Sequence, residues 1–107
     1  MSVVRKRKPE PKEPPPPLIV VPSARFKRDL LRQKTRGKDL AKIEAVIVAL
    51  SNRLPLEPKH RDHALTGDWA EHRDCHVEPD WVLIYQRTPT ELRLVRTGTH
   101  SDLRLGG

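Results

Sequence analysis

The sequence predicts an α+β domain in which two N-terminal helices pack on an antiparallel sheet of about four strands. Three observations carry this reading. A short β-branched run comes first, two segments with apolar residues at helical spacing follow, and three strand-like runs separated by turn residues close the chain. At 107 residues there is room for one domain and a single small core.

Residues 1–17 are basic and proline-rich and offer only two valines for burial. Packing cannot offset the entropy of ordering such a segment, so it is expected to be a disordered arm, with the folded domain at 18–107. Leu18-Ile19-Val20-Val21, bounded by prolines, is a first strand expected to pair inside the sheet. Ser23 is placed to cap a helix with Phe26, Leu30 and Leu31 on its apolar face, ending near Thr35-Arg36-Gly37. Asp39 is placed to cap a second, in which Leu40, Ile43, Val46, Ile47 and Leu50 recur at helical spacing before Leu54-Pro55 stops it.

Pro55 to Gly67 reads as a long connection, and connections of that length in a small domain tend to be functional. Strands are expected over Trp69–Val77, Trp81–Arg87 and Glu91–Thr97, with turns at Val77-Glu78-Pro79-Asp80 and Thr88-Pro89-Thr90. In the middle strand Trp81, Leu83 and Tyr85 share one face and Val82 and Ile84 the other. Apolar residues on both faces suit a central strand. Leu92 and Leu94 should face the core.

A net charge of +7 and a pI near 10.1 favour an anionic partner. Five basic and two acidic residues lie in the first thirteen, so the remainder still carries +4. Nucleic acid fits better than a membrane surface, because the chain has no long amphipathic basic helix. One cysteine forms no internal disulfide, and neither a membrane-spanning run nor a secretory signal is evident; a reducing cytoplasm is expected.

The chemistry-bearing residues are concentrated between His63 and His100, a window holding four of the five histidines, both tryptophans and the only cysteine. Strict alternation points Asp74 and His76 one way from their strand, and Arg73 and Cys75 the other. Gly98 allows a sharp turn that brings His100 back over the sheet. Histidine titrates near neutrality and serves as proton donor or acceptor, while arginine matches a phosphate. Together these residue types point to a small basic endoribonuclease. The chain has no CxxC pair and no HExxH helix, so no metal site is expected from His60, His63, Cys75 and His76, and no cofactor is needed.

Three blocks carry a family resemblance: Arg61-Asp62-His63-Ala64-Leu65-Thr66-Gly67-Asp68-Trp69, the run Arg73 to Tyr85, and Arg96-Thr97-Gly98-Thr99-His100-Ser101-Asp102-Leu103. In their order and spacing these blocks resemble the YafQ-type toxins of the RelE/ParE superfamily, and the coarse element order from Leu18 onward is similar to that family's fold. The resemblance implies a RelE-like fold and a ribosome-dependent mRNA interferase that cleaves translated mRNA in the ribosomal A site. It implies as partners a cognate antitoxin, and operator DNA only through the antitoxin complex, with no membrane. Carried over by position, the catalytic set falls on His63, His76, Asp80, Arg96 and His100. His100 is then the general acid, Asp80 and His76 the candidate bases, Arg96 the phosphate clamp, and His63 a phosphate-positioning or proton-sharing residue. Trp81, Arg61, Arg73 and Arg104 are the expected RNA contacts. Arg104 stands where the family usually has an aromatic residue. Two other classes fit the charge: a non-catalytic nucleic-acid-binding module, and a gyrase-poisoning toxin of ParE type. The three histidines favour the nuclease.

Overall fold

In the computed structural model, which describes residues 13–105, the chain runs β1 (Ile19–Pro22), α1 (Ala24–Thr35), α2 (Leu40–Ser51), β2 (His63–Ala64), β3 (Arg73–Glu78), β4 (Trp81–Arg87), β5 (Glu91–Gly98) and α3 (His100–Leu103). Short 3₁₀ turns at Pro58–His60 and Gly67–Trp69 flank β2. Of the expected arm, residues 1–12 lie outside the described residues. Residues 13–17 form neither helix nor strand and are exposed, and the Pro16 carbonyl accepts a bond from Arg53 Nε at 3.0 Å.

Both helices begin where capping chemistry places them. Ser23 Oγ accepts from the Phe26 amide and donates to the Val95 carbonyl, so one hydroxyl both starts α1 and ties it to β5. Asp39 Oδ1 accepts from the Ala41 amide at 3.0 Å to start α2. The buried face of α2 is the expected one, with Ile43, Val46 and Leu50 in the core. That of α1 is not. Leu31 is 64% exposed, whereas Asp29 and Gln33 are buried beside Phe26. Asp29 must face β5 to reach Arg96 and the Thr97 amide, and at about 100° per residue a side chain two positions on points away.

The sheet has five strands in the order β1-β5-β4-β3-β2, antiparallel except for β1, which runs parallel to β5. The expected class holds with two refinements. The long connection contributes a two-residue edge strand, and the first strand lies at the opposite edge rather than inside, with Ile19, Val20 and Val21 exposed. Two helices carry the chain back across the sheet between β1 and the later strands, which permits the parallel pairing. β3 starts at Arg73 instead of Trp69, because Gly67 (φ 66°) and Glu71 (φ 68°) turn the backbone before it.

The alternation in β4 is realised on both sides. Trp81, Leu83 and Tyr85 join the main core with Cys75, Val77, Leu92 and Leu94 beneath α1 and α2. Val82 and Ile84 join a smaller cluster with Leu103, flanked by Leu65, Trp69, Val95 and Leu105. This second face is left uncovered by the long helices. Among the described residues, no helix is long and apolar enough to cross a membrane.

Candidate active site

Cross-strand register assembles the site on that second face. His63 on β2 lies opposite Asp74 on β3, which lies opposite Ile84 on β4, and directly opposed residues share a face. His76, two residues after Asp74, points the same way. A register shift at Val77 precedes the last pair, Glu78 with Trp81, and the turn between these two carries Asp80.

His100 arrives from the other end of the chain and is held by α3. Thr99 and Asp102 form a reciprocal cap, in which the Thr99 hydroxyl accepts from the Asp102 amide and the Asp102 carboxylate from the Thr99 amide. The same carboxylate takes a bidentate pair from Arg36 at the end of α1, at 2.6 and 3.1 Å. The Arg36 guanidinium therefore holds the Asp102 carboxyl well below the usual range. A Cβ on Gly98 would come within 2.9 Å of Asp102 Oδ2, so a side chain there would push α3 off the sheet. The glycine is required for close approach.

Asp80 Oδ1 then accepts both the His100 backbone N–H, at 3.0 Å, and the ring Nδ1–H, at 2.7 Å. These bonds, the backbone one foremost, hold the Asp80 carboxyl below its ordinary value. They also leave His100 Nε2 free. The His76 and His100 rings meet edge to face with centroids 5.0 Å apart. Burial lowers the pKa of His76, while the Asp74 charge opposes that shift, so at neutral pH this ring keeps a lone pair.

His63 Nδ1 is 2.6 Å from the Arg61 carbonyl and 3.1 Å from Asp74 Oδ1. Its N–H is directed at the carbonyl. Asp74 Oδ1 thus sits at ion-pair distance yet makes no hydrogen bond, inside a residue only 3% exposed. Around these groups opens a cavity of about 530 Å³ lined by His63, His76, His100, Asp74, Arg61 and Arg104, among others. Both arginines hold left-handed backbone, with φ of 45° and 52°. Non-glycine residues rarely do so, and at a pocket rim such strain aims side chains.

Of the expected site residues, the structure brings together His63, His76, His100 and Asp80, with Arg61 and Arg104 at the rim. It does not bring the others. Trp81 is fully buried and donates Nε1–H to Thr97 Oγ1 at 2.9 Å, so it has no face for a base and serves as core. Arg96 forms a largely buried pair with Asp29 at 2.6 and 3.2 Å and does not line the cavity, because α1 supplies a carboxylate beside the end of β5. Arg73 points to the opposite face, where it and the Tyr85 hydroxyl bond Asp62. Cys75 is buried in the main core, where burial pushes its thiol up and out of reach of the histidines. Asp74 is the residue to which sequence reasoning assigned no role. Its alternation with His76 was the available signal.

Comparison with known proteins agrees with this geometry. Residues 18–105 match the family described as bacterial toxin of type II toxin-antitoxin system, YafQ. The mRNA interferase toxin YafQ of Escherichia coli K12 is 44% identical over 82 residues, covering 76% of this chain and 89% of that protein. The crystal structure of YafQ from Escherichia coli BL21(DE3) superposes with a TM-score of 0.78 at 40% identity, covering 83% of this chain and 99% of that one. YafQ in the Escherichia coli DinJ-YafQ toxin-antitoxin complex is similar at a TM-score of 0.76 and 41% identity, over 83% and 98% of the two chains.

Proposed function

This chain belongs to the YafQ family of type II toxin-antitoxin toxins, and we propose that it cuts translated mRNA by acid–base catalysis in the pocket between His76 and His100. It is an mRNA interferase, and therefore an endoribonuclease. The observation that carries the mechanism is the pairing of an Asp80-anchored imidazole with a second, neutral imidazole 5.0 Å away.

RNA cleavage of this kind needs a base for the 2′-OH, a cation for the phosphate and an acid for the 5′-oxygen. His76 accepts the 2′-OH proton as the 2′-oxygen attacks phosphorus. His100, starting doubly protonated, gives its Nε2 proton to the departing 5′-oxygen. Asp80 is occupied by two bonds from His100, which suits it to orienting the acid rather than acting as the base. The phosphate's developing charge falls to Arg61 and Arg104, which border the cavity, in place of Arg96. Arg104 occupies the position at which an aromatic residue is usual, so this chain holds its RNA more by charge and less by stacking.

The ribosome is the proposed setting, in the cytoplasm. With Trp81 in the core, the part-buried Trp69 at the cavity wall is the one indole left near the pocket, which suits a substrate held in position by the ribosome rather than gripped by the toxin alone. A cognate antitoxin with an acidic segment is the proposed inhibitor, covering this basic face. Single-turnover cutting on ribosomes programmed with a defined message tests the reading. In-frame cleavage that vanishes when the start codon is removed, and with equimolar antitoxin, is expected. Equal cutting of naked RNA would overturn the ribosome dependence. A gyrase-directed activity has no support in a pocket that keeps three imidazoles together.

A further inference from the structure

One group in the pocket is left over by this chemistry. Asp74 lies beneath the three imidazoles on the floor of the cavity, 3% exposed, and its Oδ1 has no hydrogen bond although it faces polar neighbours. An orphaned buried carboxylate destabilises a fold, so a position with no other use would favour an apolar residue. A valine or threonine would suit the strand better.

The groups that face it come from every neighbouring element. His63 approaches from β2, with Nδ1 at 3.1 Å; His76 shares its strand face; His100 comes from α3; Asp62, in the loop before β2, is bonded on the opposite face and acts only through its charge. Burial raises the Asp74 carboxyl above its ordinary value, while the three histidines pull it back down and Asp62 adds to the rise. The charge of this carboxylate and the charge of the imidazoles are thus coupled.

We propose that Asp74 is a positioning residue for the cleavage reaction: its buried carboxylate is the countercharge for the imidazolium that forms when His76 takes up the 2′-OH proton. The inference rests on the reading of this pocket as the site of RNA cleavage. In the step, the 2′-O–H bond breaks and its proton moves to His76, the 2′-O–P bond forms, and the P–O5′ bond breaks with the 5′-oxygen taking a proton from His100. Asp74 exchanges no proton. Its contribution is electrostatic and is greatest in the transition state, where His76 first becomes cationic beside it, in a site partly shielded from water.

Asp74→Asn removes the charge and keeps the shape. Two measurements are needed. In the free protein, the His76 ring resonances followed by NMR across pH should show a titration midpoint moved to lower pH. On programmed ribosomes, single-turnover cleavage should fall roughly tenfold or more, with its acidic limb moved to lower pH, because the base then binds its proton less tightly. An unchanged His76 midpoint overturns the proposal. So does a moved midpoint with an unmoved acidic limb, since the charge would then be felt by the ring but unused in the reaction. The NMR arm contains no RNA, so it still scores the Asp74–His76 coupling if the protein proves not to cut RNA at all. Should the substitution unfold the chain, the wild type carries the test. The Asp74 carboxyl carbon should titrate above ordinary aspartates, with His76 responding in the same pH step, and independent titrations overturn the proposal.

Discussion

Two regions of the molecule treat charge differently. Around α1 and the main core, ionised groups are matched: Arg96 with Asp29 of α1, and Arg73 with Asp62, which also accepts from the Tyr85 hydroxyl. On the open face the groups outnumber their partners, with three imidazoles, a buried carboxylate lacking a hydrogen bond, and two arginines at the rim. A matched pair is locked in one protonation state, because breaking it strands a charge in low dielectric. An incompletely matched cluster can pass a proton at little cost, since several states lie close together. The difference separates a region built to hold its structure from one built to change its charge.

The comparison is broken most severely through His100. Replacement by Gln keeps a polar side chain but no useful proton donor, so cleavage should fall on the order of a hundred- to ten-thousandfold, with loss of the basic limb of the pH–rate profile. Stability to denaturant should be nearly unchanged. A rate within a few-fold of the parent would move the acid role elsewhere and erase the distinction between the regions.

The matched region should respond in the opposite sense. Asp29→Ala leaves Arg96 unpaired against α1 and removes the acceptor of the Thr97 amide, so unfolding free energy should drop by about 3 kcal/mol or more. Urea titration measures this. Cleavage per folded molecule should persist, whereas a specific loss of rate would restore Arg96 to the chemistry. Trp81→Phe is a milder probe of the same kind. It removes the Nε1–H bond to Thr97 Oγ1 and some core volume, for a destabilisation of about 1–2 kcal/mol. Undiminished cutting by the folded fraction would fit its place in the core.

The smallest effect is expected at Arg36, which is exposed at the boundary between the regions. Its pair with Asp102 depresses a carboxyl, so the linked stability is present above the ordinary aspartate value of about 3.9 and is lost as pH falls below it toward the lowered one. Arg36→Ala should lower the melting temperature slightly at neutral pH and not at all once Asp102 is protonated, which flattens the acid limb of the profile. An identical acid limb would show that Arg36 does not set the ionisation of Asp102.

What the sequence determined by itself was whatever depends on near neighbours in the chain. Ser23 and Asp39 act on amides two or three residues away, so the helix starts were legible. In β4 the alternation of Trp81, Leu83 and Tyr85 with Val82 and Ile84 depends only on strand parity, and it survived folding intact. The same parity placed Asp74 and His76 together, and the spacing of three motif blocks was enough to mark the histidines. Tertiary structure decided which neighbour each face received. A two-residue strand has no periodicity, so nothing in Pro55 to Gly67 announced that β2 would set His63 opposite Asp74. Leu31 lost its buried place to Asp29, Trp81 its exposed face to the core, and Arg96 its freedom to a carboxylate 67 residues earlier in the chain. Parity tells a side chain which way to point. Only packing determines whether water, a helix or an ionised partner is waiting there, because that depends on contacts between segments remote in sequence.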